Sequence, residues 1–159
     1  MGQRVVVTDV SKTYRLGKIN VTALAGVSLA VEAGEFLAVA GPSGSGKTTL
    51  LNLIGCLDTP TSGEIAIDGE AIGGLSAGRR ADLRARKLGF VFQTFNLIPV
   101  LTAWENVEYP LLLQRGRGDV PARVRAALEH VGLAERARHR PAELSGGQQQ
   151  RVAIARSLV

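Results

Sequence analysis

The residues with the clearest chemical capacity stand eight in a row: Gly41, Pro42, Ser43, Gly44, Ser45, Gly46, Lys47 and Thr48. Their order satisfies G-x-x-x-x-G-K-[ST], the spacing of a loop that cradles phosphate groups. Gly41, Gly44 and Gly46 carry no Cβ, so the backbone can turn tightly and bring successive N–H groups close to a β-phosphate. Lys47 supplies a point charge for the β- and γ-phosphates. The Thr48 hydroxyl is placed to ligate Mg²⁺.

Such a loop must sit between a strand and a helix, and the flanks supply both. Residues 36–40, Phe-Leu-Ala-Val-Ala, are a short apolar run that reads as a buried strand. Leu50, Leu53, Ile54 and Leu57 recur at i, i+3, i+4 and i+7, one face of a helix whose positive end would face the phosphate. A second glycine-bearing stretch, Leu144-Ser145-Gly146-Gly147-Gln148, has the same logic. Ser145 and Gln148 form a capping box, and Gly146 and Gly147 open the backbone at a helix start, which makes a second anion site. The helix behind it carries Val152, Ala155 and Leu158 on one side and Arg151 and Arg156 elsewhere.

The remaining elements frame these two stretches. Residues 4–10 are rich in valine and read as a strand, a polar turn follows at 17–20, and residues 21–32 read as a second strand with a bend near Gly26. Residues 58–63 are a dense turn signal. A strand at 64–67 ends in Asp68-Gly69, the preferred dipeptide of a tight hairpin, with a return over 71–75. Residues 76–87 read as a basic surface helix, 89–92 as an apolar strand ending at Gln93, and 95–100 as an apolar loop. Thr102 and Glu105 make a capping box for a helix toward Leu113, with a break or kink expected at Pro110. Residues 114–119, with Gly116 and Gly118, do not continue it. Pro121 suits the first turn of a further helix with Val124, Ala127, Leu128 and Val131 on one face and Gly132 at its end. The result is a mixed α/β architecture that binds its ligand beyond the carboxyl ends of its parallel strands.

The chain has 159 residues, 45% hydrophobic and 21% charged, a composition that supports a core and excludes disorder. Its net charge is +5, from 19 basic and 14 acidic residues. Arg79, Arg80, Arg84, Arg86 and Lys87 form one basic cluster, and Arg136, Arg138 and Arg140 another. Solvated charged faces are the favoured reading, with nucleic acid, acidic lipid or nucleotide as the others. Cys56 is the single cysteine and reads as a buried, inert thiol. The N-terminus has no signal-peptide layout, and no apolar run reaches the roughly 18–20 residues of a spanning helix.

Taken together, the P-loop, a strand ending in Gln93 and the string Leu144-Ser145-Gly146-Gly147-Gln148 resemble the nucleotide-binding domain of ABC transporters. A P-loop alone says only NTPase; the pentapeptide is that family's own signature. Residues 55–63, 92–99 and 105–108 resemble the macrolide-export and lipoprotein-release branch in particular. The resemblance implies a P-loop NTPase of the ABC type, one domain over 1–159, with an N-terminal antiparallel β part. Its core would be about 1–93 plus 149–159, and a helical insert about 94–148 would end in the signature.

It also implies roles. By themselves Tyr14 reads as a half-exposed strand-end tyrosine and Gln93 as a polar strand terminus. In the family, the position of Tyr14 stacks on adenine, a contact worth roughly 1–3 kcal/mol. Residues 41–48 with Thr49 hold ATP phosphates and Mg²⁺, and Gln93 contacts Mg²⁺ and the attacking water. Lys47 and Gln93 are then the catalytic candidates, and Thr48 and Gln93 the metal ligands. Ser145, Gly146, Gly147 and Gln148 face the γ-phosphate held by a second nucleotide-binding subunit, in a head-to-tail dimer. Transmembrane permease subunits, separate or fused, are the other implied partners, met by residues 95–101 and the insert at the cytoplasmic face of the cell membrane. Nucleic acid is not expected.

The pattern departs from the family after the signature helix. There the family continues into a strand ending in Asp-Glu and on to a histidine, and only 11 residues follow Gln148 here. The resemblance therefore implies an ATPase powering export or membrane extraction in complete form, truncated before its general base, with C-terminal strands missing. A nucleotide-binding remnant without turnover is the alternative. Open apolar edges at 37–40 and 90–92 and marginal solubility are expected with it.

Overall fold

A computed structural model describes residues 3–114 and 118–159; the expectation at Gly116 lies outside them. The chain divides into two compact units, Met1–Ala81 and Asp82–Val159.

The first unit is built on a four-stranded antiparallel sheet of order β2-β1-β3-β4. Strand β1 (Gln3–Leu16) lies between β2 (Ile19–Glu32) and β3 (Ser62–Ile67), and β4 is the short return Glu70–Ala71. The expected first strand is longer than its valine run, because residues 11–16 continue the ladder with β2. Asp68 and Gly69 have φ of 48° and 79°, the two left-handed residues of a primed hairpin turn. Register shifts interrupt the β1–β2 ladder. Where Lys12 pairs with Leu24 and Thr13 with Thr22, Ala23 is the extra residue of a bulge on β2. Val7, Val10, Leu24, Ile65 and Ile67 are buried, as are Leu50 and Leu53 of helix α1 (Lys47–Ile54). Leu57, expected on that helix face, lies beyond the helix end and is exposed. Cys56 is buried, as expected.

Helix α2 (Ala77–Lys87) begins in the first unit and ends in the second. The second unit is otherwise α3 (Ala103–Leu113), α4 (Val120–His130) and α5 (Gly146–Ser157), with two short 3₁₀ turns before α5. Ala103, Val107, Leu111, Val124, Leu128, Val152 and Ala155 meet in its core. The Thr102–Glu105 and Ser145–Gln148 capping boxes are both formed. Asp119, read as loop, caps α4 by accepting the Ala122 N–H at 3.0 Å. Leu158, expected on the apolar side of α5, is 64% exposed.

Three expectations are corrected. Helix α3 runs through Pro110 without a break; Val107 and Leu111, fully buried on either side of the proline, hold the turn in place. Residues 36–40 are not a strand, and neither are residues 89–92. A strand exists only against a partner that takes its backbone groups, and no described residue pairs with either run. Their side chains stand in solvent: Phe36 is 94% exposed, and Leu37, Val39, Val91 and Phe92 are all exposed. The strand ending in Gln93 is accordingly an exposed turn.

Candidate functional site

The phosphate loop leads directly into α1. Gly46 is the N-cap, with φ 88° and no side chain to cap the helix. The first N–H groups of α1 therefore point outward without a side-chain acceptor. A Cβ on Gly46 would lie 2.5 Å from the Ala23 carbonyl oxygen and 2.8 Å from Leu24 Cδ2, so only glycine fits. The Ala23 bulge and the loop are thus shaped to one another. Gly41 and Gly44 also have positive φ, 153° and 80°. Pro42 and Ser43 are exposed at the loop tip.

Lys47 turns back over this loop. Its Nζ donates to the carbonyls of Gly41 at 2.8 Å and Pro42 at 2.6 Å, and lies 3.4 Å from Ser45 Oγ. Ala23 and the run from Gly44 through Ser45, Gly46, Lys47 and Thr48 to Thr49 line a cavity of about 170 Å³. A cradle that a Cβ would fill, uncapped amides and one ammonium fit a polyphosphate. Thr48 is exposed at its edge. Among the described residues, no cluster of three or more His, Cys, Asp or Glu could hold a metal. Within the first unit, a divalent ion would therefore rely on Thr48 and on phosphate oxygens.

Tyr14 is half-buried near the end of β1. Its hydroxyl donates to Asp58 Oδ2 at 2.9 Å. Lys12 Nζ donates to Asp58 Oδ1 at 2.7 Å and to the Thr59 carbonyl at 2.7 Å. Partial burial pushes the Asp58 carboxyl up, but hydrogen bonds from Lys12, the Thr59 N–H and Tyr14, together with the Lys12 charge, outweigh it and hold the pKa below its usual value.

The pentapeptide is at the start of α5. Ser145 Oγ accepts the Gln148 N–H at 3.3 Å, and the Ser145 N–H donates to Gln148 Oε1 at 2.8 Å. Ser145, Gly146 and Gly147 are exposed, and Gln148 is half-buried. Nothing lies within 4 Å of where a Cβ on Gly146 or Gly147 would stand, and neither has positive φ. Tyr14 and the P-loop are brought into the first unit, Gln93 and the signature into the second.

Sequence reasoning missed two polar anchors, one buried and one half-buried. Asn106 is 1% exposed. Its Oδ1 accepts the Ile98 N–H, and its Nδ2 donates to the carbonyls of Ile98, Leu101 and Thr102, which fixes the loop between Gln93 and α3. Arg156 donates to the carbonyls of Asn96 at 2.7 Å and Phe95 at 2.6 Å, two residues with positive φ in that same loop. An asparagine directly after the capping-box glutamate was the available signal for the first. Nothing local marked the second, 60 residues away from its acceptor.

The ABC transporter family profile matches residues 24–159. An ABC transporter ATP-binding protein of Thermotoga maritima is 54% identical over 155 residues, 94% of this chain and 64% of that protein. A macrolide export ATP-binding/permease protein MacB of Syntrophobacter fumaroxidans is 54% identical over 154 residues, 95% of this chain but 22% of its own length. A dimeric ATP-binding cassette of Methanocaldococcus jannaschii, solved in a post-hydrolysis state with ADP and Pi, superposes with a TM-score of 0.86 at 48% identity, covering 97% of this chain and 68% of that one. The chain therefore spans less than two thirds of the first two relatives.

Proposed function

The chain belongs to the ABC transporter family, and from that premise we propose that it binds Mg-ATP through the loop of residues 41–49. The single observation that carries this is the loop itself, in which Gly46, forced by contact with β2, and the folded-back Lys47 shape a cradle of uncapped amides. Lys47 exchanges its carbonyl partners for β- and γ-phosphate oxygens, and the amides at the start of α1 take the β-phosphate. Thr48 and Gln93 would hold Mg²⁺, which would supply charge neutralisation at the phosphates. Tyr14 receives the adenine. Gln93, an amide that both donates and accepts, would also orient the attacking water.

Ser145, Gly146, Gly147 and Gln148 meet the γ-phosphate of a second nucleotide-binding subunit. The open space around both glycines supports that role, because the fold of this chain does not itself require them. Hydrolysis follows wherever the acidic strand that the family carries after the signature helix completes the site. It would power export or membrane extraction through permease subunits at the cytoplasmic membrane face. No described helix is long and apolar enough to cross a membrane.

Equilibrium binding of ATP with Mg²⁺ tests the reading. Lys47→Ala should weaken ATP at least about 100-fold, the loss of a charge-assisted contact at two phosphates. Equal affinity in the two proteins would refute it. ATP turnover above that of Lys47→Ala would separate an active cassette from a binding remnant.

A further inference from the structure

Beside the phosphate loop, three side chains close on one another. The Tyr14 hydroxyl and the Lys12 ammonium take the two oxygens of one carboxylate, Oδ2 and Oδ1 of Asp58, at 2.9 and 2.7 Å. Lys12 Nζ also stands 4.9 Å from the centroid of the Tyr14 ring. Lys12 is 9% exposed, so the ammonium is committed to this cluster. Two residues apart on β1, Lys12 and Tyr14 project from the same face of the sheet. Leu24, the cross-strand partner of Lys12, shares that face and is the side chain against Gly46. The Tyr14 ring and the phosphate loop therefore belong to one surface of the first unit.

We propose that Lys12 and Asp58 are positioning residues that fix the Tyr14 ring as the platform for the nucleotide base. The inference rests on the nucleotide-binding reading above and adds two residues to it. A tyrosine side chain has two torsions, and both are set when the backbone holds one end and Asp58 the other. The ammonium stands over one face of the ring, so a base would stack on the opposite face. A ring ordered in advance stacks without the rotamer cost of ordering it at binding. Asp58 also ties the platform to the lysine-bearing helix, since the N–H groups of Leu57 and Asp58 both donate to the Asn52 carbonyl in α1. Base platform and phosphate loop thus share an anchor.

The test compares ATP with inorganic triphosphate, a probe with the charges and no base, on the full chain with Mg²⁺ present. Tyr14→Ala should weaken ATP about five- to 150-fold and leave triphosphate within about twofold. Asp58→Ala and Tyr14→Phe should each weaken ATP about three- to tenfold, again sparing triphosphate. The double variant should fall within about twofold of Asp58→Ala, because both changes remove one contact. Equal loss of both ligands in Asp58→Ala would make the pair merely structural and overturn the proposal. So would an unchanged ATP-to-triphosphate ratio in Asp58→Ala where Tyr14→Ala lowers it. If Asp58→Ala does not fold, an unchanged ratio in Tyr14→Phe is the overturning result. Failure of the underlying reading looks different: Lys47→Ala binds ATP as well as the parent, or Tyr14→Ala keeps the parent ratio.

Discussion

Two helices in this chain begin in glycine-rich sequence, and they do so for opposite reasons. At α1, Gly46 sits at φ 88° with its missing Cβ aimed at the Ala23 carbonyl, and no side chain caps the helix. At α5, Gly146 and Gly147 have ordinary helical backbone and open surroundings, while Ser145 and Gln148 cap the helix in both directions. The first set of glycines answers a demand made inside the chain. The second answers none within the chain, which is the ground for proposing that a partner makes the demand. A glycine motif therefore means different things according to whether its own fold fills the space left by the absent side chain.

The sharpest way to break this contrast is Gly46→Ala. A left-handed backbone and a carbonyl oxygen at 2.5 Å should cost about 2–4 kcal/mol, read as a lowered urea midpoint. A loss under about 1 kcal/mol would mean that the bulge gives way and that the two helix starts are alike. Ser145→Ala comes next. Removing the cap of α5 should cost about 1 kcal/mol, a dependence that α1, with no side-chain cap, does not share. The smallest stability effect belongs to Gly147→Ala, neutral or stabilising by up to about 1 kcal/mol, since alanine suits a helix better than glycine. The same variant should suppress ATP-dependent pairing of two chains, measured by sedimentation. A stable variant that pairs normally would mean that no approaching subunit requires the signature glycines.

What the sequence made legible was what is local. Each capping box joins residues three apart, and Asp68-Gly69 turns by its own backbone preferences, so all three could be read without the fold. The P-loop was legible because spacing alone defines it. Residues 36–40 and 89–92 were misread because alternation and apolarity describe a strand only when a partner exists, and the run itself does not say where that partner is. The break expected at Pro110 is absent for the converse reason, since burial of Val107 and Leu111 outweighs a local breaker. Asp58 was absorbed into a turn signal, and its partners on β1 lie 44 and 46 positions away. Asp119 was passed over beside Gly118, though it caps the very next helix.

The contacts of Lys47 bear on timing as well as affinity. Its ammonium rests on the Gly41 and Pro42 carbonyls of the loop it serves. If the loop binds polyphosphate as proposed, the ligand would trade with those carbonyls, and the net attraction would be a difference between two sets of strong contacts. The exchange would also run backward at low cost, because the same carbonyls can recapture the ammonium. On the proposed reading, a lysine held in reserve this way would keep the grip on phosphate temporary.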